Sequence, residues 1–323
     1  HKCATDIRKE IGKLKEQGID GLIVDLRDNG GGSLQEVVEI AGLFINKGPV
    51  VQVRGKNNMS MIMEDYNADI AWNGPLSIMV NHGSASASEI LAAAMQDYKR
   101  AVIVGTPSFG KGTVQSFADL DQQLLPQLDS LKPLGQVKIT MQKFYRINGG
   151  ATQLKGVTPD VILPDPYAFF DQGEKDMDFP MKWDEMEPAI YSSFTYIDYD
   201  KVKKNSEQRV KASATFKLIE TEAKELKAKK DDSKYNLAMT KYRAEQKEMR
   251  EQNKKYENLR KEIKDFTAEI LKVDADHLSN DTTRLGRENR WAKNLAKDIY
   301  VHEATNILSD LKSGDVATTI SPK

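Results

Sequence analysis

The chain has 323 residues, enough for two domains of ordinary size around a buried core. Hydrophobic residues make up 39% and charged residues 29%, the balance of a globular protein, and a formal net charge of −1 gives nucleic acid or an acidic membrane surface no whole-chain attraction. A single cysteine, Cys3, rules out an intrachain disulfide, and no apolar run approaches the roughly 18 residues that span a bilayer.

The chain opens on His1 without a signal-peptide pattern, which reads as a fragment or a processed product. Ile7, Ile11 and Leu14 recur at helical spacing. Gly18 and Gly21 then frame a break, and Leu22-Ile23-Val24 reads as a buried strand. That strand runs into Asp28-Asn29-Gly30-Gly31-Gly32, a loop no regular element would tolerate. A helix is predicted through Leu34, Val37, Val38 and Leu43, and further strands at Val50–Val53 and Ser77–Val80. Residues 86–98 read as a helix of small residues and Ala101–Val104 as another buried strand. Residues 119–135, with Pro126 and Pro133, have the look of a surface insertion, and 137–147 alternate toward a hairpin at Asn148-Gly149. Short apolar strands interleaved with helices indicate an α/β domain over 1–165.

Near residue 165 the character changes. Pro164 and Pro166 open an aspartate-rich stretch that reads as a linker over 166–184, and 185–323 as a charged, mainly helical C-terminal domain. Between 201 and 270 there are 20 Lys/Arg and 13 Asp/Glu, most simply a solvated helix surface. Phe216, Ile219, Ala223 and Leu226 fall on one helical face, which reads as a packing stripe. Tyr235, Leu237 and Met239 alternate like a strand in helical surroundings, and the last helix is predicted over 291–312.

Four histidines are present, and only His82 is near a candidate nucleophile; it reads as a loop residue. HExxH and CxxC spacings are absent, so zinc chemistry is not expected and no metal or organic cofactor is implied. The run Gly83-Ser84-Ala85-Ser86-Ala87-Ser88-Glu89 lies between a strand and a helix. On local sequence alone the simpler reading is a helix start, with Glu89 following Ser86 at capping-box spacing. The alternative is a nucleophilic serine at the positive end of a helix dipole, with small neighbours that leave room for a substrate backbone. Such a serine needs a base. Lys111 follows a buried strand inside a glycine-flanked loop, which can carry an amine into a dry pocket where the neutral form is favoured. Taken alone it reads as a solvated lysine; Gln115, four residues on, could steady the amine or be an ordinary polar residue. Gly105 to Lys111 also matches the start of a phosphate-binding loop, but Gly112 stands where that motif needs Ser or Thr. Gly30-Gly31-Gly32 can aim a backbone N–H at a developing oxyanion or simply make a tight turn.

Taken together, Asp25-Leu26-Arg27-Asp28-Asn29-Gly30-Gly31-Gly32, Ser84-Ala85-Ser86-Ala87-Ser88-Glu89 and Ser108-Phe109-Gly110-Lys111-Gly112-Thr113-Val114-Gln115 resemble the three core motifs of the C-terminal processing peptidases, or tail-specific proteases, in their order. Gln142 to Gly150 and Lys155-Gly156-Val157-Thr158-Pro159-Asp160 continue the resemblance, and 185–323 is more loosely similar to the helical region of the long, tail-specific subgroup. The resemblance implies a crotonase/Clp-type α/β spiral followed by a helical domain, and a serine endopeptidase working through an acyl-enzyme. It assigns Ser86 as nucleophile, Lys111 as base, Gln115 as support and Asp97 as an assisting aspartate. It makes the backbone N–H groups of Gly32 and Ala87 the oxyanion donors. Expected partners are protein or peptide substrates with exposed C-termini, with a PDZ domain upstream in the full-length protein and a bacterial periplasm or envelope as the location. A catalytically silent peptide-binding or scaffold module on the same fold is the rival reading.

Overall fold

The computed structural model describes residues 2–56, 59–195, 197–234 and 236–313. Helix α1 (Cys3–Glu16) leads into strand β1 (Leu22–Asp25), helix α2 (Leu34–Ala41), strands β2 (Gly48–Arg54), β3 (Ser60–Asp65) and β4 (Leu76–Val80), and helix α3 (Ala87–Asp97). Strands β5 (Val102–Gly105), β6 (Thr113–Asp119), β7 (Gln136–Tyr145) and β8 (Val161–Ile162) follow. Helices α4 (Tyr199–Ala212), α5 (Ala214–Asp231), α6 (Met239–Asn253), α7 (Lys272–His277), α8 (Thr282–Leu295) and α9 (Ile299–Ser313) complete the described chain. This is the α/β core and helical C-terminal region that the resemblance implies.

The strands form two sheets. One is parallel, in the order β1-β4-β5-β8; the other is antiparallel, in the order β3-β2-β7-β6. The central strands of the parallel sheet are buried on both faces, which explains why β4 and β5 read as nearly continuous apolar runs rather than alternating ones, Ser77 being the polar residue of β4. Successive side chains still point to opposite sides. Leu76, Ile78, Val80 and Ile103 enter a core shared with α2 and α3. Val102, Val104 and Val161 enter a second core, closed by Val202 of α4, Phe216 and Ile219 of α5, and Ile307 and Leu311 of α9. The stripe Phe216–Ile219–Ala223 is thus a packing face, buried at all three positions.

Several expectations need correction. The final helix is two, because Asp298 interrupts 291–312. Its Oδ1 accepts from the N–H groups of Tyr300 and Val301, starting α9, and its Oδ2 takes an ion pair from Arg27 at 2.8 Å. No strand forms where Leu237 and Met239 alternate: Leu237 is exposed and Met239 opens α6, while Tyr235 lies outside the described residues. The turn at Asn148-Gly149 exists, closed by Gly149 N–H to Arg146 O at 3.0 Å, but β7 pairs chiefly with β6 and β2 rather than across that turn. Residues 119–135 carry two short 3-10 turns at the tip of the β6–β7 arm.

Phe216 is 2% exposed and sits edge-on to Tyr300, with ring centroids 5.9 Å apart. Phe216→Ala should lower stability by about 3–5 kcal/mol through the cavity it leaves. Urea denaturation of the protein tests this, and an unshifted midpoint would mean that the helices do not close the second face of the sheet.

Candidate active site

Three loops leave the carboxyl ends of adjacent parallel strands: 26–33 after β1, 81–86 after β4 and 106–112 after β5. Ligands of open α/β sheets bind at such ends. Topology therefore gathers three stretches that are far apart in sequence. Hydrogen bonds lock them together. Ala85 N–H and Ser88 Oγ both donate to Asn29 O, at 3.0 and 2.9 Å, and Ser84 Oγ donates to Leu26 O at 2.7 Å. Phe109 N–H donates to Ser84 O at 3.0 Å.

A cavity of about 310 Å³ opens where they meet, and Gly32, Ser86, Ala87, Lys111 and Gln115 all line it. Ser86 precedes α3 with φ 57° and ψ −116°. An ordinary N-cap is extended, and a non-glycine residue at positive φ is strained. Ser86 thus begins the helix in a conformation that an ordinary N-cap does not adopt. Gly31 lies against it at φ 100°: a Cβ at this position would stand 2.6 Å from Ala85 O and 2.8 Å from Ala87 N. The Gly31 N–H is bonded to Asn29 Oδ1, at 3.0 Å, whereas among the described residues the N–H groups of Gly32 and Ala87 have no backbone acceptor. The sequence reading singled out Gly32 and missed Gly31, whose missing side chain is what lets the loop approach Ser86.

Glu89 holds the arrangement together. Its side chain is fully buried. Oε2 accepts from Ser86 N–H at 2.8 Å and Lys111 N–H at 2.9 Å; Oε1 pairs with Ser108 Oγ at 2.6 Å and accepts from Gly110 N–H at 2.7 Å. One carboxyl group thus binds the backbones of both dyad candidates. Burial pushes that carboxyl up to about 7, against the hydrogen bonds, which pull it down. Capping-box spacing drew attention to Glu89, but its span to the Lys111 loop has no signal in local sequence.

Two residues named from sequence lie elsewhere. Asp97 ends α3, far from Ser86, bound to Arg146 at 2.5 Å and Asn148 at 2.8 Å. Burial pushes its carboxyl up, with Arg146 opposing. His82 faces other cavities, its Nδ1 3.8 Å from Asp165. The phosphate-loop reading also falters on geometry: such a loop leads into a helix, and this one leads into β6.

Gln115 is exposed, near Thr140 Oγ1 at 3.5 Å. Gly112 N–H donates to Gln153 Oε1 at 2.8 Å, and Gln153 Nε2 donates to Met181 O at 3.1 Å. Glu174 N–H donates to Phe109 O at 2.9 Å and Trp183 Nε1 to Ala151 O at 2.9 Å. Residues 173–184 therefore pack directly on the segments that frame Lys111.

Glu89→Gln should loosen both loops, because an amide NH₂ would face main-chain N–H donors that a carboxyl oxygen accepts from in either protonation state. A loss of about 2–4 kcal/mol is expected at acid pH. The carboxyl is raised in the folded state, so its stabilising share is full below about 4.5 and is lost as pH climbs toward about 7. The stability gap between wild type and Glu89→Gln should therefore narrow across that window by about 3 kcal/mol. Denaturation at several pH values measures it; a gap that widens with pH would contradict the burial argument.

Against this geometry, comparisons with known proteins give a consistent picture. Residues 2–163 match the model of peptidase family S41, and residues 167–313 match the C-terminal domain of tail-specific protease. The chain is 47% identical over 194 residues to a tail-specific protease of Haemophilus influenzae, covering 60% of this chain and 28% of that protein. It is 35% identical over 179 residues to a carboxy-terminal-processing protease of Bartonella bacilliformis, covering 53% of this chain and 39% of that one. A solved photosystem II D1 C-terminal processing protease superposes with a TM-score of 0.44 at 32% identity, over 50% of this chain and 40% of that one. The chain thus spans less than half the length of these relatives. The three loops and the two family matches agree, and the chain belongs to peptidase family S41, with the C-terminal domain of the tail-specific proteases.

Proposed function

We propose that the chain carries the catalytic centre of a serine endopeptidase that cleaves proteins recognised through their C-terminal region. The observation that carries this reading is the cavity shared by Gly32, Ser86, Ala87, Lys111 and Gln115. The names of the relatives, tail-specific and carboxy-terminal-processing protease, support it.

In this reading Ser86 Oγ attacks the scissile carbonyl carbon while Lys111 Nζ, as the free amine, takes its proton. The N–H groups of Gly32 and Ala87 bind the oxyanion, a contribution of about 3 kcal/mol per donor in comparable sites. Collapse breaks the C–N bond, Lys111 hands its proton to the leaving amine, and the acyl group stays on Ser86 as an ester. Water adds to that ester, Lys111 takes the water's proton and returns one to Ser86 Oγ, and the acid leaves. Gln115 steadies the amine. Asp97 acts at a distance, by anchoring the end of α3 to the Arg146 corner.

Strand β6 is the outer strand of its sheet and begins two residues after Lys111. An extended substrate adds to that edge by backbone hydrogen bonds, which brings a peptide carbonyl past Ser86 whatever its side chains. A PDZ domain encoded upstream presents the substrate's C-terminus. We divide the chain accordingly into a catalytic core over 1–165, a connecting segment over 166–184 and a helical domain over 185–323. By the same likeness we assign it to the periplasm or envelope of a bacterium. No helix among the described residues is long and apolar enough to cross a membrane.

Ser86→Ala and Lys111→Ala in the full-length protein should each cut proteolysis roughly a thousandfold or more while the thermal midpoint holds. Undiminished turnover by both variants in a clean preparation would end the dyad assignment.

A further inference from the structure

We infer that Lys138 gives the cavity a charge preference, favouring substrates with a side-chain carboxylate within one or two residues of the scissile bond and disfavouring lysine or arginine there. The inference rests on the peptidase reading and adds to it the substrate class.

Lys138 belongs to β7 yet lines the same cavity as Ser86, because it is the register partner of Phe117 on β6. Paired residues share a sheet face, so Lys138, Phe117, Gln115 and Thr140 present one side of the β6–β7 arm. Lys138 Nζ lies 5.7 Å from the centre of the Phe117 ring, and among the described residues it has no carboxylate in salt-bridge range. The rest of the lining has a definite character. Leu34, Ala87, Ile90, Val114 and Phe144 contribute apolar groups, no lining residue is acidic, and with Lys111 as the free amine of the peptidase reading Lys138 is the cation of the lining. A substrate side chain entering here meets positive charge and hydrocarbon, with nothing to neutralise a cation of its own. Part of the cavity is open to solvent, so the discrimination is modest; charge pairs in such places alter binding about fivefold to tenfold.

The test uses full-length protein and a set of peptides with the same free C-terminus well beyond the cleaved bond, identical except for Glu, Gln or Lys at each of the two positions on either side of that bond. At one of these positions wild type should turn over the Glu peptide with a kcat/KM about fivefold to tenfold above the Lys peptide, Gln lying between. Lys138→Gln should flatten the series and Lys138→Glu should invert it. Added salt, at about 0.5 M, should shrink the wild-type ratio by screening the Lys138 charge. A ratio near one at every position, or one that Lys138→Glu leaves unchanged, overturns the inference while leaving the peptidase reading intact. Cleavage of none of the peptides, or of protein substrates either, sinks both together.

Discussion

The site depends on one buried carboxyl group holding two backbones at once. Glu89 takes the amides of Ser86 and Lys111 on the same oxygen, and Ser108 and Gly110 on the other. Isolating a carboxylate from water is expensive, and three amide donors and a hydroxyl are what make it tolerable. The same contacts sustain Ser86 at φ 57°, a conformation that an unsupported loop would relax. Remove the carboxyl and the strained turn and the lysine loop lose their common anchor.

That anchor works because the rest of the fold brings its partners within reach. Loops from neighbouring parallel strands start about one strand spacing apart, so Leu22 comes beside Leu76 and Ser77 beside Val102, and the loops that follow those strands become neighbours. A sheet buried on both faces cannot slide without opening a core, which fixes where those loops begin. The C-terminal helices supply one of those faces. They also hold the glycine-rich loop directly, since Arg27 pairs with Asp25 at 2.7 Å and with Asp298 at the start of α9 at 2.8 Å. On the other flank Asp184 binds Arg54, Lys143 and Tyr145, tying the segment after the core to the antiparallel sheet.

What the sequence disclosed, and what it withheld, follows from the range of the interactions. Short-range chemistry was legible: the apolar runs of β4 and β5, the glycines after β1, and the serines before α3 are each set by local backbone demands. Ser86, Lys111 and Gln115 came from the resemblance of three motifs to a family, since local sequence alone favoured a helix start and a solvated lysine, and one cavity holds them with Gly32 and Ala87. Gly31 was passed over because three adjacent glycines look alike until one of them is found against Ala85 O. Strand β6 went unread because Thr113 to Asp119 carries little apolar pattern; its partner β7, not its own side chains, makes it a strand. Asp298 went unread as a helix break although its cap contacts, to Tyr300 and Val301, are local; its other role, the ion pair with Arg27, reaches a residue 271 positions away. The stretch 166–184 looked like a linker because proline and aspartate mark irregular backbone, and irregular it is, yet its backbone groups are spent on Phe109 and Gln153.

The placement of negative charge is itself informative. A carboxylate beside a lysine ammonium stabilises the charged form, and a protonated amine cannot accept a proton from serine. A site that needs the amine must therefore support its lysine without giving it a counter-ion. Glu89, whose carboxyl reaches the Lys111 loop, is committed to main-chain N–H groups, including that of Lys111 itself, and to the Ser108 hydroxyl, and is not among the residues that line the cavity. Support reaches the lysine through its backbone, while its side chain shares a space with apolar walls, an amide and a second lysine. An aspartate or glutamate introduced at Gln115 would reverse that logic: it would keep the hydrogen-bonding reach of the amide and add the very charge that the lining otherwise omits.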